Sequence, residues 1–295
     1  MYKLRNWVDI NKIDWKCLSC NPNAIDFLEK NMDKINWNLL SANPNAIHLL
    51  NKNHDKISYY WLSINSNAID LLEKNNDKIN WNLLSANPNA IMLLEKNNSK
   101  ISYHWLSLNR NAIHLLEKNI DNKKWHGLLN PCHFLSTFFN KIDWCFLSQN
   151  PNAIDLLKKN NDKINWFGLS RNPNAIDILE KNIDKINWFG LSSNPNAIEL
   201  LEKNVDKIDW NRLSNNLNAI PILSKNIDKI NWSKLSQNPN AIHILEKNKD
   251  KIDWFWLSKN PSIFELDYEA LQKRCNIYKE ELIKKYNIRI SLHDI

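Results

Sequence analysis

The chain has 295 residues, a formal net charge of +7, and 43% hydrophobic residues including 14 Trp, enough apolar surface to argue for a buried core and against disorder. Only 3 Gly occur, which disfavours the phosphate-cradling loops and nucleophile elbows that many catalytic folds build on glycine. The charge recurs as pairs such as Glu29-Lys30 and Asp33-Lys34, the pattern of a mixed solvated face rather than of one basic patch.

Met1 to Trp7 is short and charged, unlike a signal peptide. No apolar run approaches the roughly 18 residues of a membrane span, so no membrane partner is expected. The 5 Cys are irregularly placed, which points to reduced thiols in a cytoplasm-like compartment.

From Ser19 onward a Leu-Ser pair returns every 22 residues, at Ser41, Ser63, Ser85 and Ser107, and again from Ser148 to Ser258. The full unit reads Asn-Pro-Asn-Ala-Ile-x-Leu-Leu-Glu-Lys-Asn-x-Asp-Lys-Ile-x-Trp-x-x-Leu-Ser-x. A fixed period in this range signals stacked units, none of which buries its apolar face alone. Asn21-Pro22 predicts a helix start, with Pro at the first helical position. Ala24, Ile25, Phe27 and Leu28 then share one face, and Asn31 ends the helix. A second helix starts at the residue before the repeat aromatic. That column holds Asp14, Asn36, Ser58, Asn80 and Ser102, all good N-cap side chains, and only Lys124 breaks it. The apolar spacing is 3, as in Trp37 and Leu40, not the 2 of a strand, which rejects a leucine-rich repeat.

These elements predict an all-α solenoid of about twelve 22-residue helix–turn–helix units with helical caps at both ends. As an open stack it would be a rod on the order of 100 Å long. Residues 1–122 read as an N-terminal cap and first stack. Residues 123–143 read as a shortened unit that bends or offsets the stack. Residues 144–260 form a second stack, and 261–295 a C-terminal helical cap, all within one continuous solenoid. Pro221, with Leu217 in place of the usual Pro, predicts a helix that starts about two residues late or kinks.

The unit resembles the short-repeat proteins of giant DNA viruses of the mimivirus type. Leu4-Arg5-Asn6-Trp7 and Phe264-Glu265-Leu266-Asp267-Tyr268-Glu269 also resemble the ends of such proteins, and the resemblance covers nearly the whole chain. It implies a viral repeat protein, and carries over no catalytic residue and no ligand.

Cys17 and Cys20 form a CxxC, but without a second such pair they read as two positions of the repeat, those filled by Leu39 and Ala42 in the next unit. His48, His114 and His243 share a column with Asp26, Asp70 and Glu199, spaced about 10 Å apart by the stacking, too far for one ion. No metal and no cofactor is expected. No Ser-His-Asp, Cys-His or paired-carboxylate set converges, so no catalysis is expected either.

The positions two and five after the repeat aromatic carry the more informative pattern. In the first units they are Cys17/Cys20, Leu39/Ala42, Trp61/Ile64, Leu83/Ala86 and Trp105/Leu108. Later they become Phe146/Gln149, Gly168/Arg171, Gly190/Ser193, Arg212/Asn215, Lys234/Gln237 and Trp256/Lys259, and the apolar face is lost. This apolar face is either a patch for a protein partner or self-association, or a surface buried by curvature. A non-catalytic protein-interaction scaffold is therefore expected. Nucleic-acid binding by variable side chains is the alternative, opposed by scarce Arg and by acids in every unit.

Overall fold

The computed structural model describes residues 1–120 and 141–286, and they form an all-α repeat solenoid. The reading of 123–143 as a shortened unit thus falls largely outside the described residues.

Each of the first ten described units contains the two expected helices, joined by tighter turns, and the last, at Trp254–Leu257, keeps only the helix that starts at the aromatic. With each unit counted from its aromatic, the first helix of one unit is Trp37–Ser41, a 3-10 turn follows at Pro44–Ala46, and the second helix is Ile47–Lys52. A further 3-10 turn at His54–Lys56 leads to the next first helix, Tyr59–Leu62. Helices this short do not persist alone. Their stability comes from a single continuous core of Leu, Ile and Ala columns, in which Leu18, Leu40, Leu62, Leu84 and Leu106 are fully buried. Each such Leu is worth about 1.5–3 kcal/mol of transfer free energy.

The caps are as expected in position and richer in chemistry. The Asn36 side chain accepts from the Leu39 N–H at 3.0 Å, which meets one orphan donor of the first turn. Asp14, Asn80, Asn165 and Asp209 do the same in their units, whereas Ser58 makes no such bond. Asn43 caps the 3-10 turn rather than the α-helix itself, accepting from Asn45 N–H at 3.1 Å. Asn31 does end its helix, but not through a left-handed backbone: φ is −136° and its side-chain NH₂ donates to Phe27 O at 2.9 Å.

The repeated Ser and Asn tie one unit to the next. Ser19 Oγ donates to Trp15 O at 2.9 Å and accepts the backbone N–H of Asn36 in the following unit, also at 2.9 Å. Asn43 Nδ2 donates to Ser19 O and Asn21 O at 3.1 and 3.0 Å, and Asn45 Nδ2 donates to Pro22 O at 2.9 Å. The Ser and Asn43-type bonds form a fully buried layer in which, among the described residues, no side-chain polar atom lacks a hydrogen-bond partner, as buried polar groups require. Lys columns reinforce the stack from outside, with Lys34 Nζ 4.4 Å from the Trp15 ring and Lys56 Nζ 4.7 Å from Trp37.

Two expectations fail along this ladder, for one reason: the ladder is more regular than the sequence around it. The unit at Trp144 stacks directly on the unit of Trp105. Asp143 N–H donates to Ser107 Oγ at 3.0 Å, Asn150 Nδ2 to Ser107 O and Asn109 O at 3.1 Å each, and Asn152 Nδ2 to Arg110 O at 2.8 Å. No offset separates two stacks at this junction. Removing 121–139 from the sequence would place Asn140 after Ile120 and restore the 22-residue spacing between Ser107 and Ser148. Among the described residues the ladder thus runs from Ser107 to the unit of Trp144 as it does between any two neighbouring units. Nor does Pro221 delay its helix, which spans Ile220–Lys225 in the register of the other units. Pro221 sits in the first turn, where a missing N–H has no intrahelical acceptor to lose.

The two ends depart from expectation as well. They do not cap opposite ends of a rod, because they meet. Asp14 N–H donates to Ser258 Oγ at 2.9 Å, Asn21 Nδ2 to Ser258 O and Asn260 O at 3.2 and 2.9 Å, and Asn23 Nδ2 to Pro261 O at 3.1 Å. These are the same bonds that join every other pair of neighbours. Lys12 Nζ likewise lies 5.2 Å from the Trp254 ring. A two-stranded antiparallel sheet seals the seam: β1 (Tyr2–Leu4) pairs with β2 (Phe264–Leu266), with Lys3 opposite Glu265. Arg5 Nη1 adds an ion pair to Glu265 at 3.1 Å. The solenoid is a closed ring, whose buried serines run Ser19, Ser41, Ser63, Ser85, Ser107, Ser148, Ser170, Ser192, Ser214, Ser236 and Ser258 before returning to Ser19.

Closure sorts the two helix layers. Successive first helices pack side by side while successive second helices touch much less, so the first helices line the inner circumference. At the usual 8–10 Å between packed helices their axes lie on a circle about 30 Å across, leaving an opening of about 20 Å. After the seam, the helix Tyr268–Tyr286 runs along the outside of the first unit, where Ala270 and Arg274 line a depression with Tyr2 and Asp26.

Candidate functional site

The inner wall is built from the positions one, two and five after each repeat aromatic. In the eleven described units these positions hold no Asp or Glu, although the chain has 32 acids. The acids of the described repeat units sit at caps, in the 3-10 turns and on the second helices. Wall positions free of acids, reached by cap carboxylates only where Asp143 meets His104 at 3.2 Å and Asp253 accepts from Ser233 Oγ at 2.6 Å, are the main chemical asymmetry of the ring.

The ten apolar candidates all lie on this wall, with unequal exposure. Cys17 and Leu83 are buried, at 2% and 8% exposure, against neighbouring first helices. Cys20, Leu39, Ala42, Ala86, Trp105 and Leu108 are half-buried. Trp61 and Ile64 are each 38% exposed, and Tyr60 beside them is 53% exposed. The Tyr60 and Trp61 rings form an edge contact 5.3 Å apart, so the two aromatics present one apolar cluster to the opening. Trp105 is held by other rings, 5.7 Å from His104 and 6.5 Å from Phe146 of the next unit. His104 Nδ1 lies 3.2 Å from the Asp143 carboxylate.

The opposite arc has different chemistry. Gly168 and Gly190 let adjacent first helices approach closely: a Cβ on Gly168 would overlap Cys145 O, and one on Gly190 would lie 2.9 Å from Phe167 O. Where these side chains are absent, cations from neighbouring positions spread over aromatic faces. The Arg212 guanidinium lies 3.7 Å from the Phe189 ring centroid, Lys234 Nζ 5.5 Å and Lys259 Nζ 4.7 Å from that of Trp256. Arg171, Phe189, Ser193, Arg212, Asn215 and Lys234 surround a cavity of about 470 Å³. Sequence reasoning passed over these residues because the loss of the apolar pattern reads as loss of a surface. The signal was the absence of acids among the replacements.

Cys17 and Cys20 share the wall, and their chemistry is passive. Burial, with the Asp14 carboxylate beside it, pushes the Cys17 thiol up to about 11, and burial raises Cys20 as well. Neutral thiols of this kind are poor nucleophiles. His48 and His114 each face a Glu of the preceding unit, at 3.9 Å from Glu29 and 3.1 Å from Glu95. Among the described residues no group of three or more His, Cys, Asp or Glu converges to hold a metal ion, and no helix is long and apolar enough to cross a membrane.

The family model of NosD, a periplasmic copper-binding protein, matches residues 6–127. That is less than half of the chain, and it covers the first five units. No curated protein and no solved structure matches.

Proposed function

We propose that the protein is a non-catalytic ring scaffold that binds a protein partner through the inner wall of its first five units. The observation that carries this reading is the cluster of Tyr60, Trp61 and Ile64, exposed on the concave wall with no element among the described residues covering it. Large aromatic side chains in a preorganised setting are the side chains that dominate binding energetics. The resemblance to short-repeat proteins of giant DNA viruses supports a viral scaffold working in a reducing, cytoplasm-like compartment. The test is a pair of charge substitutions, Trp61→Glu and Ile64→Glu, in the intact ring. Partner capture from infected-cell extract should be lost while the melting temperature stays within a few degrees of the parent. Cooperative unfolding of the variants would instead place these side chains in the core.

A second reading, nucleic-acid binding, is supported by one specific feature. The wall carries Lys16, Arg171, Arg212, Lys234 and Lys259 interleaved with Phe167, Phe189, Phe255 and Trp256, and no acid. A basic track with aromatic platforms suits single strands. Affinity for a single-stranded oligonucleotide that falls steeply with salt would favour it; absence of binding at low salt would remove it.

A further inference from the structure

The cavity on the glycine side of the wall collects positive charge with nothing to balance it. Arg171 enters it from one unit, Arg212 and Lys234 from the second and third units beyond it. None of the three pairs with a carboxylate among the described residues. Contact with the Phe189 face fixes the plane of the Arg212 guanidinium, and its Nε is buried with no hydrogen-bond partner. A buried donor left unmet is costly, and native structures keep few of them. Arg171 is strained in the same sense: burial and then the nearby Arg212 charge both pull its pKa down. Ser193 and Asn215 add neutral donors at the rim.

This is the complement of a compact, multiply charged oxyanion. Two planar guanidinium forks match tetrahedral oxyanions in geometry. Three cations exceed what one carboxylate could neutralise, so a group carrying at least two charges fits better. We infer that this cavity binds a phosphate group, gripped by Arg171 and Arg212, with Lys234 as the third charge and Ser193 and Asn215 completing its donors. The inference goes beyond the protein-scaffold reading and does not depend on it, since Tyr60 and Trp61 belong to a different arc of the ring.

Calorimetric titration of the full chain with inorganic pyrophosphate tests it. The parent should bind at low salt, and the bound anion should raise the melting temperature. Arg171→Ala and Arg212→Ala should each weaken binding roughly 10- to 100-fold, as loss of a charge-assisted contact does. Arg212→Lys keeps the charge without the fork and should also weaken it, which separates the site from simple charge density. Lys16→Ala, on the same wall outside the cavity, should leave the affinity unchanged. A parallel titration with a thymidine oligonucleotide identifies the source of the phosphate. Binding lost in the same variants would assign a nucleic-acid backbone, and binding of pyrophosphate alone would assign a free phosphate compound. No pyrophosphate binding at low salt, equal affinity in the Arg171→Ala/Arg212→Ala double variant, or equal affinity for a hexaglutamate peptide would overturn the inference.

Discussion

The side-chain amide of Asn21 donates to the backbone carbonyl of Asn260 at 2.9 Å across a sequence separation of 239 residues. It is the same bond that Asn43 makes to Asn21 at 3.0 Å, 22 residues away. The seam between the ends is thus one more unit interface, and it gives the first rung a role that no terminal rung of an open rod has.

Asn21→Ala should therefore cost as much as Asn87→Ala. Each removes two side-chain bonds to carbonyls of the preceding unit, Ser258 and Asn260 in one case, Ser63 and Asn65 in the other. With two buried acceptors left unmet, about 2–4 kcal/mol is expected from each. Chemical denaturation of the two variants provides the comparison. A much smaller loss at Asn21 would mean that the first rung has no neighbour.

Deleting residues 121–139 should preserve the ring. The deletion joins Ile120 to Asn140 and recreates the repeat spacing, and the bonds from Asp143 and Asn150 to Ser107 already span this interface. The deleted chain should melt within a few degrees of the parent, since the rung between Ser107 and Asp143 is made without those residues. A collapse of cooperativity on calorimetry would show that those residues belong to the stack.

Gly168→Ala should destabilise more than Gly190→Ala. At Gly168 the added methyl overlaps the Cys145 carbonyl, whereas at Gly190 the Phe167 carbonyl is 2.9 Å away. Forced separation of two first helices also disturbs the rungs on either side, so about 1–3 kcal/mol is expected at Gly168. Thermal denaturation ranks the two.

Cys17 should make stability depend on pH in the alkaline range. Its thiol is raised in the folded chain from 9.0 to about 11, so the unfolded chain loses this proton first. The contribution is complete below pH 9 and disappears as pH rises to about 11, amounting to about 2–3 kcal/mol. Cys17→Ala should flatten that part of the stability curve relative to the parent. Below pH 9 an alkylating reagent should modify the exposed Cys275 well before the buried Cys17.

The all-α repeat and its caps were readable because they depend on local chemistry. Asp14 and Asn36 cap within three residues of themselves, and Leu40 follows Trp37 at helical spacing. The second function of each Asn was hidden by the first. Asn43 reads as a cap from its Pro neighbour, while its donation to Ser19 and Asn21 depends on a neighbour in space. Ring closure was hidden more deeply. It requires about 33° of rotation per unit accumulated over the whole stack, and no single unit encodes the sum. Trp125 reads as one more repeat aromatic, whereas among the described residues the ladder runs directly from the unit of Trp105 to that of Trp144. On the wall, Trp61 announced itself as apolar, whereas Arg171 and Arg212 acquire meaning only when three units bring them to one cavity.

Closure of the ring is tested most directly at the sheet that seals it. Lys3→Cys and Glu265→Cys, placed opposite one another in the antiparallel pair, can be combined in a chain whose own Cys are replaced. Directly opposed strand residues stand about 4.5–5.5 Å apart, within disulfide reach. Mild oxidation at low protein concentration should give a rapid, nearly complete intramolecular disulfide that leaves the chain monomeric. Failure to form that bond, or formation only between chains, would contradict the closed ring and return the molecule to an open solenoid.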